Sequence, residues 1–310
     1  MKVVFFGSPA SALPSLRKLL EAGHSIELVI TQPDRPAGRG RKTKMGEVKK
    51  FSVARGLPVY QPVKIRKDEA VMEKLRAAAA DIHVVVAYGQ IIPEPIIHLP
   101  RFHSVNVHFS LLPQYRGASP VEWAILNGEK STGVTIFELS EKMDEGDILA
   151  KAGTDIGSRE TGGELMARLA EIGANLLIKT MDEIGGLPRV PQNHMLASYA
   201  PKISKADGRI HWRDAALLID RKVRALKAWP TAYAFFKGKR VQIRRGRDIE
   251  GIFTAGSPGE VLAVQELGID VCCGKGTIFR IESIQPENRK EMHAYTFSLG
   301  SRIKAGDCLE

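Results

Sequence analysis

Cysteine is scarce in this sequence, with three residues among 310. Cys272 and Cys273 are adjacent, Cys308 stands near the end, and no spacing matches a metal-ligand or redox motif. A disulfide between neighbouring cysteines is geometrically poor, so we expect none. No stretch approaches the roughly 18 to 20 consecutive apolar residues that span a bilayer, and the N-terminus lacks a secretory pattern. These absences predict a cytoplasmic protein without a metal, a disulfide or a membrane segment.

A dinucleotide-binding motif is also missing. Gly7-Ser8-Pro9 follows a predicted first strand, where such a motif would lie, but it lacks the Gly-x-Gly-x-x-Gly spacing. The second predicted strand, 26–31, ends without the acidic residue that binds a ribose. The sequence therefore argues against a nicotinamide site.

Positive charge is plentiful but unevenly placed. Residues 1–188 contain 24 Lys and Arg against 22 Asp and Glu, whereas residues 189–310 contain 21 against 13. Within the first part, segment 35–50 has seven basic residues and one acidic; in the second, 202–247 has fourteen against three. One loop and one C-terminal region thus carry the surplus, which is typical of a protein with a polyphosphate partner. A basic surface that only maintains solubility is the alternative.

The first half alternates short apolar runs with helical patterns, as in a parallel sheet with crossover helices. Strands are predicted at 3–6, 26–31, 58–61, 82–87, 104–107, 134–139 and 148–152, and helices at 9–20, 46–55, 68–79 and 161–184. We therefore predict an α/β class, with a doubly wound, Rossmann-like parallel sheet over residues 1–188.

The second half has a different pattern. Residues 189–206 lack periodicity and contain two prolines, so they are predicted as a linker. A helix at 214–228 is followed by strand-like runs at 232–236, 241–245, 259–264, 269–272 and 277–284, which glycines separate. Short, closely spaced strands with glycine turns indicate a small, basic β-barrel domain over residues 207–310.

Asn106 and His108 form the most informative pair in the sequence. Residues i and i+2 of a strand point to the same face, so these two side chains would project together while Val107 turns into the protein. An amide donor can stabilise an oxyanion, and an imidazole can move a proton near neutral pH. The alternative is a core histidine beside a turn-forming asparagine.

The surrounding residues favour catalysis. Asn106-x-His108-x-Ser110-Leu-Leu-Pro113-x-Tyr115-Arg116-Gly117, followed by Met143-Asp144-x-Gly146-Asp147, resembles the signature of the folate-dependent formyltransferases. That family passes a formyl group from 10-formyltetrahydrofolate to an amine, and its second domain is an OB-like barrel. The resemblance implies that Asn106, His108 and Asp144 are catalytic. Asn106 would donate to the formyl oxygen, with protonated His108 as a second donor. Asp144 would orient His108 or accept the amine proton through water, unless it is only a turn residue.

A second stretch of the sequence indicates which amine would accept the formyl group. Residues 31–40, Thr-Gln-Pro-Asp-Arg-Pro-Ala-Gly-Arg-Gly, resemble the basic loop of the family members that formylate methionyl-tRNA. The resemblance implies initiator methionyl-tRNA as the partner, although residues 43–47 depart from the expected proline-punctuated continuation. Prolines and glycines exclude a regular helix here, and arginine-rich loops can order on RNA. The predicted tRNA contacts are Arg35, Arg39, Arg41, Lys42 and Lys44.

The folate is expected to lie against two loops beyond the carboxyl ends of the strands. The predicted contacts are Val86, Ala87, Tyr88, Gly89, Gln90 and Ile91 on one side, and Ser110, Leu111, Leu112 and Pro113 on the other. Residues 88–90 have the simpler alternative of a strand-to-helix turn, and Arg116 that of holding the loop's shape.

Two other functions compete with formylation of methionyl-tRNA. One is a formyltransferase or 10-formyltetrahydrofolate hydrolase that acts on another amine or on water. The other is a binding-only protein, in which the three catalytic candidates would be accidental. A monomer is the default expectation for the oligomeric state.

Overall fold

The computed structural model describes residues 1–37, 42–249 and 255–310. Internal contacts divide the chain into two compact units, neither of them continuous in sequence. The first comprises Met1–Pro120, Ser131–Asp155 and Met166–Pro201, and the second comprises Val121–Lys130, Ile156–Leu165 and Lys202–Glu310. Each unit is described by itself.

The elements as far as residue 201 follow in chain order. They are β1 Lys2–Gly7, α1 Leu13–Glu21, β2 Ser25–Ile30, β3 Arg35–Ala37, β4 Lys42–Lys44, α2 Glu47–Ala54, β5 Val59–Tyr60, α3 Glu69–Ala78, β6 Ile82–Val86, α4 Glu94–Ile97, β7 Ser104–His108, β8 Arg116–Gly117, α5 Pro120–Asn127, β9 Ser131–Glu138, β10 Ile148–Asp155, α6 Gly162–Glu183 and β11 Tyr199–Ala200.

The first unit is built on a seven-stranded sheet with the order β10-β9-β7-β6-β1-β2-β5. The five strands from β7 to β5 are parallel, β9 is antiparallel to β7, and β10 is antiparallel to β9. These are the seven strands that the sequence predicts, so the expectation of a mainly parallel, Rossmann-like sheet is confirmed. The order reverses between β1 and β6, and open α/β sheets bind ligands beyond the carboxyl ends of strands at such a point.

Burial explains why the central strands form. Every residue of β6 is buried, and so are the five residues of β1 that follow Lys2. Strands covered by helices on both faces lose the alternation of polar and apolar residues and become continuous apolar runs, rich in valine and isoleucine. Among the described residues, no helix is both long and apolar enough to cross a membrane.

The second unit contains the remaining elements. They are α7 Ala216–Ala225, β12 Tyr233–Phe236, β13 Lys239–Ile249, β14 Val261–Gln265, β15 Gly268–Cys272, β16 Ile278–Pro286, β17 Met292–His293 and α8 Ala294–Ser301. The strands form an antiparallel sheet in the order β12-β13-β16-β15-β14, with β17 paired to β16. The predicted separate β domain is therefore confirmed, and α8 is an addition that sequence periodicity did not reveal.

The C-terminal tail joins the two edges of this sheet. Phe235 in β12 exchanges two backbone hydrogen bonds with Glu310, of 2.7 and 2.8 Å. On the other edge, the Leu309 N–H donates to the Gly259 carbonyl at 2.8 Å, and the Val261 N–H donates to the Asp307 carbonyl at 2.8 Å. Pairing of both edges leaves fewer unpaired backbone groups, as barrel closure does.

Leu309 anchors the tail, because its side chain is 2% exposed within the core of the second unit. Leu309→Ala is expected to destabilise that unit by about 2 to 5 kcal/mol, the usual range for a core leucine. Urea unfolding measures the change. The matched control is Leu299→Ala on α8, whose side chain is 65% exposed, and which should change stability by no more than about 0.5 kcal/mol. Equal effects of the two substitutions would show that the tail is not part of the core.

An ion-pair cluster ties segment Ile156–Leu165 to the rest of the second unit. Asp220 on α7 is 3% exposed, and its carboxylate accepts from Arg159 at 2.8 Å and from Arg224 at 2.7 Å. Arg159 also donates to the Gly246 carbonyl, and Arg224 to the Glu160 carbonyl. A buried carboxylate requires such partners, since an unpaired buried charge is strongly unfavourable.

Candidate active site

Asn106 and His108 lie at the carboxyl end of β7, between β6 and β9. Their shared orientation is the predicted one, and Val107 faces the opposite side. A Cβ added to Gly173 on α6 would lie 2.8 Å from Val107 Cγ1, which shows how closely this helix covers that side of the strand. The sheet therefore sets the directions of both polar side chains.

Both side chains line a cavity of about 470 Å³. Its other walls include the loop after β6, the turn at Asp144, and Met166 on α6. Ile91 and Met143 also line it, and both are largely exposed, so they form an apolar rim. This volume lies within the range of about 300 to 1,000 Å³ that is usual for small-molecule sites.

His108 has a protein group near each ring nitrogen. Its Nε2 lies 2.9 Å from the Tyr115 carbonyl oxygen, so this N–H donates to the backbone. Its Nδ1 lies 3.7 Å from Asp144 Oδ2. With Nε2 committed, Nδ1 is the nitrogen that can exchange a proton, and it stands beside a carboxylate that also lines the cavity.

Asp144 is 8% exposed and sits in a tight turn with φ +55°. Its Oδ2 accepts a 2.7 Å hydrogen bond from the Gly117 N–H. Two residues later, a Cβ at Gly146 would lie 1.8 Å from the Glu138 carbonyl oxygen, so only glycine allows the turn to approach β9. Asp144 is therefore a turn residue whose carboxylate is nonetheless directed at His108.

The loop after β6 contributes five of the ten predicted folate contacts to the cavity lining. Ala87, Tyr88, Gly89, Gln90 and Ile91 line it, whereas Val86 is buried within the strand. The Tyr88 ring packs against Phe6 with its centroid 5.6 Å away, and burial raises the pKa of its hydroxyl.

Polar side chains fix the shape of this loop. Gln32 donates to the Tyr88 carbonyl at 3.1 Å, and Gln90 accepts from the Ile65 N–H at 2.9 Å. Across the cavity, a hydrogen bond shared with Glu94 raises the pKa of Glu141, which also belongs to the lining. The loop backbone is therefore held in place beside Asn106 and His108.

The second predicted folate segment has a different position. Ser110, Leu111, Leu112 and Pro113 are not among the residues that line the cavity. Ser110 donates to the Gln114 carbonyl, and the Lys151 ammonium donates to the Leu112 carbonyl. Thr135, fully buried, accepts from the Leu112 N–H and donates to the Ser110 carbonyl. These contacts hold the loop that begins directly after His108, and sequence reasoning overlooked Thr135 because no motif marks it.

Arg116 holds the shape of the loop that follows His108. This is the alternative that the sequence offered for it. Its side chain is 1% exposed and lies 3.2 Å from Glu145. Beside it, β8 pairs in parallel with β11, so residues expected to lie within a linker pack on the loop that follows His108. Ser198 accepts from the Arg116 N–H through its carbonyl, and from the Tyr115 N–H through its hydroxyl.

The predicted tRNA contacts fall in and around a short hairpin, in which β3 and β4 pair antiparallel. Arg39 and Arg41 lie outside the described residues. Arg35 and Lys42 belong to the two strands, and the exposed Lys44 lies 3.6 Å from Glu47. Lys44 is not among the residues that line the cavity.

The basic region of the second unit includes two aromatic rings of β12, each with an arginine against its face. The Arg240 guanidinium lies 3.9 Å from the Tyr233 ring centre, and Arg209 lies 5.6 Å from that of Phe235. The two rings are 5.8 Å apart in an edge arrangement. Arginine and aromatic faces together can contact both phosphates and bases.

The chain belongs to the formyl transferase family, because two models of that family together match most of its length. The model of the formyl transferase family matches residues 1–181, and that of the formyl transferase C-terminal domain matches residues 202–302. The chain is similar to the protein named methionyl-tRNA formyltransferase of Citrifermentans bemidjiense, with 41% identity over 311 residues that cover 100% of this chain and 96% of that protein.

Solved structures share the fold. The sugar 3N-formyl transferase WlaRD, in the presence of dTDP and 5-N-formyl-THF, aligns with a TM-score of 0.67 and 18% identity over 94% of this chain and 99% of that one. Methionyl-tRNA formyltransferase from Clostridium thermocellum aligns with a TM-score of 0.58 and 18% identity, covering 81% of this chain and 95% of its own.

Proposed function

We propose that this protein transfers the formyl group of 10-formyltetrahydrofolate to the free amino group of initiator methionyl-tRNA, giving N-formylmethionyl-tRNA for translation initiation. The observation that carries the proposal is the His108–Asp144 pair beside Asn106 in one cavity. The full-length likeness to a protein named methionyl-tRNA formyltransferase supports the same acceptor.

Each side chain of this group has a distinct task in acyl transfer to an amine. Asn106 donates a hydrogen bond to the formyl oxygen as that oxygen gains negative charge. The attacking amine must lose a proton as its nitrogen bonds to the formyl carbon, and Asp144 receives it directly or through water, with His108 Nδ1 sharing it. That proton can then pass to the folate nitrogen, which leaves when its bond to the formyl carbon breaks. The Tyr115 carbonyl fixes the imidazole's orientation, because it accepts from Nε2.

The cavity fits a folate in size and lining. When bound, the folate supplies the formyl group. The backbone of residues 87–91 offers N–H and C=O groups to a flat heterocycle, while Ile91 and Met143 offer apolar contact at the rim. Val86 and residues 110–113 support the two loops without facing the cavity, so we assign the direct contacts to Ala87, Tyr88, Gly89, Gln90 and Ile91.

The acceptor RNA would use the two basic regions. We assign residues 1–188 the catalytic role, 189–206 the connection, and 207–310 the RNA-binding role. Arginines and lysines of the second unit would contact phosphates, which gives affinity without sequence information. The loop with Arg35, Arg39, Arg41, Lys42 and Lys44 would recognise the unpaired acceptor end. The protein would act as a monomer in the cytoplasm, where charged tRNA is used.

A formyl-transfer assay tests this function. Purified protein is given 10-formyltetrahydrofolate with initiator methionyl-tRNA, uncharged tRNA or an unrelated amine. Product that forms only with the charged initiator supports both the chemistry and the acceptor. Folate consumption without tRNA product would instead indicate a hydrolase or a transferase for another amine.

The basic loop provides a separate prediction. Arg39→Ala is expected to raise KM for methionyl-tRNA by roughly 10-fold or more, as loss of one specific arginine contact costs about 1 to 3 kcal/mol, while folate affinity stays unchanged. Steady-state kinetics and folate titration measure the two effects. Arg17→Ala, on the exposed face of α1, is the matched control and should leave both values unchanged. Equal losses of folate and tRNA affinity would overturn the assignment of this loop to RNA.

A further inference from the structure

The turn that carries Asp144 needs support from outside itself. Asp144 has a positive φ, a backbone conformation that is unfavourable for residues other than glycine. Its carboxylate must nevertheless stay within reach of His108 and Gly117. An element that packs on the turn must therefore hold it in this conformation.

Gln192 provides that support through both ends of its amide. The side chain is 5% exposed, and its Nε2 donates to the Asp144 carbonyl at 2.9 Å and to the Gly146 carbonyl at 2.7 Å. Its Oε1 accepts from Arg116 Nη2 at 2.8 Å and from Nε at 3.2 Å. All four contacts match donor to acceptor, so a buried polar group is fully used.

These contacts form a closed ring of hydrogen bonds around the carboxylate of Asp144. Arg116 binds Gln192, Gln192 binds the Asp144 backbone, and the Asp144 carboxylate binds the N–H of Gly117, the residue next to Arg116. Arg116 also lies 3.2 Å from Glu145 in the same turn. The backbone and the carboxylate of Asp144 are thus held by one loop, with Gln192 as the bridge.

We propose that Gln192 is a positioning residue for Asp144, acting through the Asp144 backbone and not on the substrate. This inference rests on the proposed function for its kinetic readout only. Gln192 does not line the cavity, whereas Asp144 does. It lies in the segment next to β11, so the residues beyond α6 complete the catalytic arrangement.

Gln192→Glu separates positioning from packing. Glutamate has the same shape and still accepts from Arg116, but its carboxylate replaces the two N–H bonds to Asp144 and Gly146 with repulsion between oxygens. Asn193→Asp is the matched control. It makes the same chemical change one residue away, at an exposed side chain whose Oδ1 accepts from the Met195 N–H, which aspartate also does.

The kinetic test is a double-mutant cycle with Asp144→Asn. Gln192→Glu is expected to lower kcat by about 10- to 100-fold, the effect of a catalytic group displaced by about 1 Å. The KM for the folate and the KM for methionyl-tRNA should change little. In the Asp144→Asn background it should have little further effect, because both changes disable the same group. Asn193→Asp should keep the wild-type kcat. Equal loss with Asn193→Asp, or full additivity with Asp144→Asn, would overturn the proposal.

A crystallographic comparison tests whether Gln192 positions Asp144, whatever the substrate is. Crystal structures of the wild type and of Gln192→Glu should show the Gly117–Asp144 hydrogen bond lengthened or broken in the variant. An unchanged turn would overturn the positioning role even if kcat fell. If the wild type formylates no tRNA, the proposed function fails, while the crystallographic comparison still tests Gln192.

Discussion

Asn106→Ala is expected to lower kcat for formyl transfer by about 10² to 10³-fold, the usual effect of removing one oxyanion donor. Asn106 projects from β7 into the cavity beside His108, and strands on both sides fix the backbone there. The fold should therefore survive the substitution. Single-turnover formyl transfer measures the rate, and a separate titration measures folate affinity, which should change little.

Asn106→Asp tests the same role of the Asn106 amide with a side chain of closer shape. Aspartate keeps the size of asparagine but turns an N–H donor into an anionic acceptor, which repels a developing oxyanion. It should be at least as damaging as alanine despite its closer shape. A rate for Asn106→Asp within about tenfold of the wild type would contradict the role of the amide as an oxyanion donor.

Asp144→Asn is expected to lower kcat by about 10² to 10⁴-fold, the range for loss of a general base. The amide oxygen can still accept from the Gly117 N–H, so the turn should persist. What disappears is the negative charge 3.7 Å from His108 Nδ1 and the site that takes the amine's proton. The decrease should therefore fall on the chemical step and leave the binding of both substrates nearly intact.

Asp155→Asn is the matched control for that change, since it removes an exposed carboxylate at the end of β10. It should keep wild-type turnover, and thermal melting should show both variants folded. A wild-type rate for Asp144→Asn would leave Asp144 with a turn-forming role alone.

The strands could be predicted from the sequence because buried strands are short runs of apolar residues. All seven strands of the first sheet appear as short apolar runs, and so do β12 to β16 in the second unit. The missing elements are short or aperiodic. Helix α5 begins at Pro120 directly after Ser119, and a serine followed by proline is a helix-start signal. Helix α8 combines tyrosine, threonine and phenylalanine with a glycine near its end, which hides its helical character.

The candidate site was predictable where a motif or a strand alternation placed it. Asn106 and His108 follow from the i, i+2 rule, and Asp144 from the signature. Gln192 and Thr135 follow from neither, because their roles depend on which loops meet in space. Residues 110–113 are a different case, and their contact with the folate stays a prediction. They adjoin the catalytic strand in sequence, yet their polar groups turn to Thr135, Lys151 and Gln114.

The two family models match separate parts of the chain, which could suggest two domains that exchange between relatives. The second unit, however, also needs residues outside the matched range. A fragment limited to the matched residues 202–302 would omit Arg159, which neutralises the buried Asp220, and Leu309, which anchors the tail. Recombination of such fragments between relatives would thus separate an ion pair and a core residue from the sheet that needs them. Any measurement of RNA binding by the second unit therefore belongs on the whole chain, with substitutions in place of truncations.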